Sequence, residues 1–472
     1  MPTQSSNQIS RRDFLRIAGG AAFAVAGASL LPQYLRKALL PTEIVQAQTS
    51  GPDLYFGGTD GWIHLPPTPP IGFYFPDDLA PAPFNTYIFG FRNITGLTNA
   101  QIANQKMHAQ HNAPLFWVKQ FNPDPALSYP DNDEFRLELT NLGLAQRPDL
   151  VDSHTVHWHG FRNVIPFYDG EPTTSVSVPV GRNFTYVYRA REPGTYMYHC
   201  HVEDVEHVHM GMTGMVFVRP AQDKGNVSLG IPMARYAGNT DPTAPLGYTY
   251  NDGLLPGNPE STAFDREFAM FLSEVWAEAH WADSHIQLPD WTDYRADFAL
   301  LNGRVYPDTL APNGSVDPFH PARDTDGYLI APDGHPELQY QPLSALVRCV
   351  EGERVLLRFA NLGFRETAMT LTGIKMHVIG KDATPMRSRT NTDTSYETNT
   401  LAFGAGESID AIFTAPAYQG LGEYDTYILY NRAYARSDNL AGGYGGQMTE
   451  LHVYPAGGAG APGAQQYPND WG

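Results

Sequence analysis

Short runs of alternating apolar and polar residues dominate the chain after its first fifty positions. Phe135–Gly143, for example, places an apolar residue at almost every second position and then ends in Asn-Leu-Gly. Alternation of this kind predicts half-buried strands, and the turn residues that follow so quickly leave little room for long helices. The pattern therefore predicts an all-β chain.

Three of the predicted strands recur later in the chain in the same order. The matched pairs are Phe135–Gly143 with Val355–Gly363, Thr195–Tyr198 with Thr426–Leu429, and Val216–Pro220 with Leu451–Pro455. Landmarks that repeat in one order indicate an internal duplication of a β-domain. Stretches rich in turn-forming residues then divide the chain further. The predicted parts are a first domain at 48–220, a linker at 221–262, a second domain at 263–456 and a flexible tail at 457–472.

The first 47 residues have the order of an export signal. Arg11 and Arg12 precede the small and apolar run Ile17–Leu31, and Ala47 offers a cleavage position. This order resembles a twin-arginine signal, which implies an exported protein that is periplasmic, extracellular or at the cell surface. An uncleaved membrane anchor is the alternative, but the apolar run is short for spanning a bilayer. We expect no membrane span in the mature chain.

Charge and composition narrow the classes of partner. The net charge is −19, from 31 basic and 50 acidic residues, and this balance argues against a nucleic acid as the partner because its phosphates would be repelled. The only two cysteines, Cys200 and Cys349, lie far apart and predict no disulfide framework. Cys349 has no histidine nearby, which is typical of an inert buried thiol. Sixteen histidines point instead to a metal.

Two clusters carry the candidate chemistry. The first is His154-Thr-Val-His157-Trp-His159, and the second is His199-Cys200-His201, followed by His207 and Met212. Because side chains alternate along a strand, His157 and His159 share one face, as do His199 and His201, while Cys200 points to the other face. The spacing predicts two sites back to back, one of four imidazoles and one of a thiolate that His154, His207 and Met212 can join.

A thiolate with two imidazoles and a weak thioether is the ligand set of a type 1 copper site. The soft Cys and Met ligands argue against magnesium and calcium. Zinc is the harder alternative, although structural zinc rarely uses methionine. His209 and Met210 compete with His207 and Met212 as ligands in this interpretation.

These motifs resemble those of the multicopper oxidases, which are built from cupredoxin domains, and the resemblance extends over the body of the chain. It implies two cupredoxin-like Greek-key β-sandwich domains. It implies type 1 copper at His154, Cys200, His207 and Met212. It also implies a type 2/type 3 copper site that uses His157, His159, His199 and His201.

The second domain departs from the family pattern. Thr367, Thr370 and Thr372 have the spacing of the histidine motif, and Tyr430-Asn431-Arg432 stands where His-Cys-His would be. Threonine cannot replace histidine as a copper ligand. The second domain is therefore predicted to bind no copper.

A complete trinuclear cluster takes eight histidines in that family, and the first domain supplies four. One completion is a pair of chains that face each other. A second is one or two coppers with a further ligand from a neighbouring subunit, as in copper nitrite reductases. A third draws on His108 and His111. The first two completions predict a homo-oligomer.

The resemblance implies a laccase-like oxidase. Electrons from a small-molecule or metal-ion reductant would enter at type 1 copper, pass through Cys200 to His199 and His201, and reduce dioxygen at the second copper site. Glu203, Asp204 and Glu206 favour cationic reductants or are simply solvated carboxylates. A nitrite-reductase-like enzyme and a non-catalytic cupredoxin electron carrier are the alternative functions.

Overall fold

The computed structural model describes residues 51–67, 71–226, 247–251, 262–437, 439 and 445–471. The predicted signal segment lies outside these residues. The strands are β1 (Leu54–Ile63), β2 (Thr86–Asn93), β3 (Phe116–Lys119), β4 (Phe135–Gly143), β5 (His157–His159), β6 (Asn183–Tyr188), β7 (Gly194–His199), β8 (Thr213–Arg219), β9 (Gly247–Tyr248), β10 (Ala263–Phe264), β11 (Arg266–Val275), β12 (Phe298–Leu301), β13 (Val347–Val350), β14 (Arg354–Asn361), β15 (Thr367–Leu371), β16 (Met376–Lys381), β17 (Thr384–Pro385), β18 (Tyr396–Thr398), β19 (Thr400–Phe403), β20 (Ser408–Thr414), β21 (Asp425–Asn431) and β22 (Met448–Tyr454). The α-helices are α1 (Asn99–Ala103), α2 (Asp204–Met210), α3 (Ala277–Ser284) and α4 (Tyr434–Ser437).

Strands account for most of the regular structure, so the all-β prediction is confirmed. Strand β4 shows why, since its residues alternate between buried and half-buried along most of its length. None of the helices in the described part of the chain has the length and apolar character that crossing a bilayer requires.

The first sandwich consists of two four-stranded sheets. One has the strand order β2-β1-β4-β6 and the other has the order β3-β8-β7-β5. Strand β1 runs antiparallel to β2 and parallel to β4, while β3 runs parallel to β8. Aromatic residues fill the space between the sheets, including Phe56, Phe116 and Trp158. Strands β5 and β7 lie side by side and carry the histidine motifs.

The second sandwich repeats this arrangement of strands. Its first sheet contains the path β12-β11-β14-β20, continued by β16 and β17 with β18 beside β16, and its second sheet has the order β13-β22-β21-β15-β19. The parallel pairs recur, since β11 runs parallel to β14 and β13 runs parallel to β22. The three landmarks that the sequence repeats lie on equivalent strands of the two sandwiches, as an internal duplication requires.

Apolar and ionic contacts join the two sandwiches. Trp117, Met197 and Phe217 of the first pack with Phe271 and Ala360 of the second in one buried cluster. Beside it lies a buried ionic network of Arg219, Glu267, Arg358 and Asp410. The site-bearing strand β7 therefore rests on the second sandwich.

The C-terminal segment differs from the expected flexible tail. Gln465 and Asn469 are buried, and their side-chain oxygens accept hydrogen bonds from the backbone N–H groups of Glu267 and Ala269 on β11. A composition rich in Gly, Ala and Pro predicts a flexible segment, but here two amide side chains accept hydrogen bonds from backbone N–H groups of a strand. The segment therefore packs along β11.

Candidate metal centre

Cys200, His154 and His207 converge inside the first sandwich. Their candidate ligand atoms all lie within 4.8 Å of one another, and all three residues are fully buried. Cys200 directly follows β7, His154 is held by two backbone hydrogen bonds to Val178, and His207 lies on α2. Three different segments of the chain therefore deliver one sulfur and two imidazoles to one point.

The surroundings favour the ionised sulfur. Burial alone would raise the pKa of the Cys200 thiol, but His207 and His154 outweigh it and hold that pKa well below its usual value. The Nδ1 atom of His207 lies 3.3 Å from Cys200 Sγ, and the backbone N–H of Thr155 donates to the same sulfur at 3.4 Å. A thiolate is the form in which cysteine binds a metal.

The ring nitrogens of His154 support the same interpretation. Both are buried, and neither has a hydrogen-bond partner among the described residues. Buried polar atoms nearly always have a partner, so such exceptions need an explanation. An imidazole that binds a metal is one, and the group thus fits a metal of the kind that accepts sulfur and nitrogen.

Met212 lies beside this group, and a glycine that sequence reasoning missed makes room for it. A Cβ atom added at Gly58 on β1 would lie 2.7 Å from His154 Cδ2 and 3.5 Å from Met212 Cε. Both side chains therefore pack over the bare backbone of Gly58. The backbone N–H of Cys200 also donates to the carbonyl of Met212 at 3.1 Å.

Replacing Gly58 with alanine is expected to push His154 away from Cys200, because 2.7 Å is shorter than any ordinary carbon–carbon contact. Copper affinity at this site should fall about 10- to 100-fold, as for other groups that hold a ligand in place. Competition with a copper chelator measures it. Gly404→Ala is the matched control, since a Cβ there would meet nothing closer than 3.5 Å. Equal affinities for the two variants would contradict the prediction.

The structure separates His209 and Met210 from the sulfur group. His209 Nε2 accepts a hydrogen bond from the backbone N–H of Trp276 at 3.0 Å, and Met210 packs in the core of the first sandwich. His108 and His111 are also placed elsewhere. His108 Nδ1 lies 2.7 Å from the Tyr340 hydroxyl, and His111 Nε2 lies 3.3 Å from Ser273 Oγ.

The four remaining candidate histidines share one face of the β5–β7 pair. His157 stands opposite His199 in the register, and Trp158 between His157 and His159 points into the core. Candidate ligand atoms of His157, His159 and His199 all lie within 4.8 Å of one another. The ring of His201 lies 5.0 Å from that of His157, centroid to centroid.

Backbone carbonyls orient two of these rings. His157 Nδ1 donates to the carbonyl of Asp169 at 2.7 Å, and His199 Nδ1 donates to the carbonyl of Cys200 at 2.8 Å. The Nε2 atom of each ring lies on the side away from its carbonyl, and that of His199 is 3.4 Å from His159 Nδ1. Metal-binding histidines are usually oriented by such second-nitrogen hydrogen bonds. Burial lowers the pKa of His199 to about 3 and also lowers the pKa of His157. Both shifts favour the neutral imidazole, which is the form in which histidine binds a metal.

The second sandwich holds a hydrogen-bonded counterpart of the sulfur group. Thr370 pairs with Tyr430 on β15 and β21 as His157 pairs with His199 on β5 and β7, so the register agrees with the alignment of the motifs. At the place of Cys200, Asn431 Nδ2 donates to Thr367 Oγ1 and to Gln447 Oε1, each at 2.8 Å. Thr367 takes the place of His154 and Gln447 that of Met212. Polar groups that satisfy one another therefore occupy the position that corresponds to the sulfur group.

Asp152 is a further residue that sequence reasoning missed. Its Oδ2 atom lies 3.6 Å from His207 Nε2, on the side of the ring away from Cys200, and Glu203 joins these two residues within 4.8 Å. The only sequence signal was its position two residues before His154. Of the three carboxylates that follow Cys200, Glu203 and Asp204 are exposed and Glu206 is half-buried on α2.

Comparisons with known proteins find similarity to multicopper oxidases and laccases. The family model for multicopper oxidase matches residues 99–223. A laccase of Ustilaginoidea virens is 33% identical over 103 residues, which are 21% of this chain and 14% of that protein. A multicopper oxidase of Talaromyces pinophilus is 31% identical over 111 residues, which are 23% of this chain and 17% of that protein. The match thus spans less than a fifth of each relative.

A solved structure covers more of the chain. The blue copper oxidase from Nitrosomonas europaea superposes with a TM-score of 0.50 and 18% sequence identity, over 84% of this chain and 85% of that one. At this identity the likeness concerns the fold. It supports the prediction of two cupredoxin-like Greek-key β-sandwiches.

Proposed function

Because residues 99–223 match the family model for multicopper oxidase, we propose that this chain is an exported, copper-dependent oxidoreductase. It takes electrons from a small-molecule or metal-ion reductant and passes them to dioxygen. The observation that carries the proposal is the run His199-Cys200-His201, which joins a buried sulfur group to a face of four histidines. Export rests on the resemblance of the N-terminal residues to a twin-arginine signal.

The donor atoms at Cys200 suit copper. A thiolate, two imidazoles and a thioether are offered by Cys200, His154, His207 and Met212, and this is a type 1 ligand set. When bound, copper would supply one-electron redox chemistry. The protein contributes a dry and rigid surrounding, since all four side chains are fully buried. The backbone N–H of Thr155, which donates to the sulfur, stabilises its negative charge.

We place the reductant at the outer edge of His207. Asp152 lies beside the Nε2 atom of that ring and Glu203 is close by. Val151 and Val205, which neighbour these carboxylates in the sequence, are exposed. Carboxylates beside exposed apolar side chains favour an aromatic reductant with a positive charge or a proton to donate, and they also admit a metal cation. His207 then connects the reductant to Cys200.

The backbone supplies the proposed route between the two sites. Cys200 is bonded directly to His199 and His201, and the hydrogen bond from His199 Nδ1 to the Cys200 carbonyl shortens the path to one ring. The half-buried imidazole of His157 and the buried imidazole of His199, whose pKa values are both lowered, would hold the second copper, which would supply the redox chemistry for oxygen reduction.

A complete three-copper cluster does not fit the described residues of one chain. Thr370 and Tyr430 occupy the places where the second sandwich would provide histidines. We therefore propose that the four-histidine face holds one or two coppers with a further ligand from a neighbouring subunit, or is completed by a second copy of the chain. Both arrangements predict a homo-oligomer. His108 and His111 do not lie with the group and are not part of this proposal.

Copper counting combined with oxygen uptake tests the function. Two or more coppers per chain, with oxygen consumption that depends on a phenolic or metal reductant, are the expected result. A single copper and no oxygen consumption would favour an electron carrier. Reduction of nitrite without use of oxygen would favour a reductase. Protein without copper, or with copper but no thiolate absorption band, would overturn the proposal.

A further inference from the structure

Helix α2 carries two histidines that face opposite ways. His207 and His209 are two positions apart, and each residue turns an α-helix by about 100°, so their side chains point to nearly opposite sides. His207 faces Cys200, at 3.3 Å, whereas His209 meets the backbone of Trp276. The helix therefore lies between the sulfur group and the second half of the chain.

The second half of the chain encloses His209. Its Nε2 atom accepts a hydrogen bond from the N–H of Trp276 at 3.0 Å. Aromatic rings surround the imidazole at centroid distances of 5.1 to 5.4 Å, contributed by His280, Trp291, Tyr294 and Phe364. Of these residues, His280 is itself buried and lies on α3.

Other contacts stiffen this enclosure. The hydroxyl of Tyr294 donates to Glu274 Oε2 at 2.5 Å, and the backbone N–H of Phe364 donates to the same oxygen at 3.1 Å. Glu274 also forms an ion pair with Arg436. The residues around His209 thus lie in the segment from Trp276 to Tyr294, which includes α3, and at Phe364 after β14, all in the second half of the chain.

Helix α2 also determines the positions of two candidate copper ligands. His207 is one, and Met212 follows the helix by two residues, with its N–H donating to the carbonyl of His207 at 2.9 Å. A shift of α2 would therefore move His207 and Met212 together relative to His154 and Cys200, which lie on other segments. Ligand distances at a metal need to hold within a few tenths of an ångström.

We infer that His209 is a positioning residue that ties α2 to the second half of the chain, so that the copper-free sandwich sets the geometry of the copper site in the first. The inference rests on the proposed function only in taking Cys200, His154 and His207 as copper ligands. It gives the second sandwich a role although it carries no copper motif of its own.

His209→Leu tests the inference, because leucine fills similar space but accepts no hydrogen bond and leaves the Trp276 N–H unpaired. We expect the thiolate-to-copper band and the reduction potential to shift, and copper affinity to fall about 10- to 100-fold. His209→Gln retains an acceptor and should recover most of the affinity. His452→Leu is the matched control, since His452 is a hydrogen-bonded histidine on β22, away from α2.

The outcomes separate this inference from the proposed function. Wild-type protein without a thiolate band would overturn the function itself. A normal wild-type band that His209→Leu leaves unchanged in position, potential and affinity would overturn the inference, even if the melting temperature fell. If His209→Leu does not fold, Trp291→Leu opens the enclosure from its half-exposed side and should produce the same spectral shift. An unchanged spectrum there would also count against the inference.

Discussion

Replacing Cys200 with serine is expected to remove the thiolate-to-copper absorption band and reductant oxidation together. Serine keeps the approximate size of the side chain but offers no soft sulfur donor. The copper content should fall by one ion per chain, because His154 and His207 alone bind copper more weakly. The four-histidine face lies on the other side of the strand and should retain its copper. Absorption spectra, metal analysis and oxygen uptake measure these effects.

Cys349→Ser is the matched control for this change. Cys349 is also fully buried, but it lies in the core of the second sandwich, where burial raises the pKa of its thiol and its Sγ is 3.8 Å from the carbonyl oxygen of His452. The substitution should leave the band and the copper content unchanged. A band that survives Cys200→Ser but disappears with Cys349→Ser would show that the wrong cysteine was assigned.

Much of the site was predictable because strands impose strict alternation. The spacing put His157 and His159 on one face of a strand and His199 on a face of another, and the pairing of β5 with β7 brings the three imidazoles together. The same logic put Cys200 on the opposite side. The repeated strand patterns predicted two similar β-domains, because apolar alternation is kept in the second half even where the site residues differ.

Contacts between residues that are far apart in the sequence were not predictable. Nothing in the pattern showed that Gly58 makes room for His154, since that contact joins residues almost a hundred positions apart. The segment with His207 is a short helix, and the hydrogen bond that its other histidine, His209, accepts from Trp276 joins residues 67 positions apart. Likewise, the threonine motif predicts that the second sandwich binds no copper. It does not predict that the side chain of Asn431 hydrogen-bonds to Thr367 and Gln447 at the position that corresponds to Cys200.

Replacing Arg358 with methionine is expected to destabilise the protein at the junction between the two sandwiches. Arg358 is fully buried and donates to Glu267 at 2.9 Å and to Thr195 Oγ1 at 3.1 Å, and it lies 3.5 Å from Asp410. Removing one cation from a buried ionic network leaves a carboxylate uncompensated, which typically costs about 3–5 kcal/mol. The free energy of unfolding, measured with a chemical denaturant, should fall by about that amount.

The ionic network explains why the loss at Arg358 is expected to be so large. Glu267 keeps a partner in Arg219, but Asp410 is left with hydrogen bonds from Thr195 and Tyr250 alone. Arg162→Met is the matched control, because Arg162 pairs with Glu192 at the surface, where an ion pair contributes about 0–1 kcal/mol. Equal losses for the two variants would mean that the network does not hold the sandwiches together. A much larger loss for Arg358→Met would show that the support beneath strand β7, and therefore beneath both histidine motifs, is electrostatic as well as apolar.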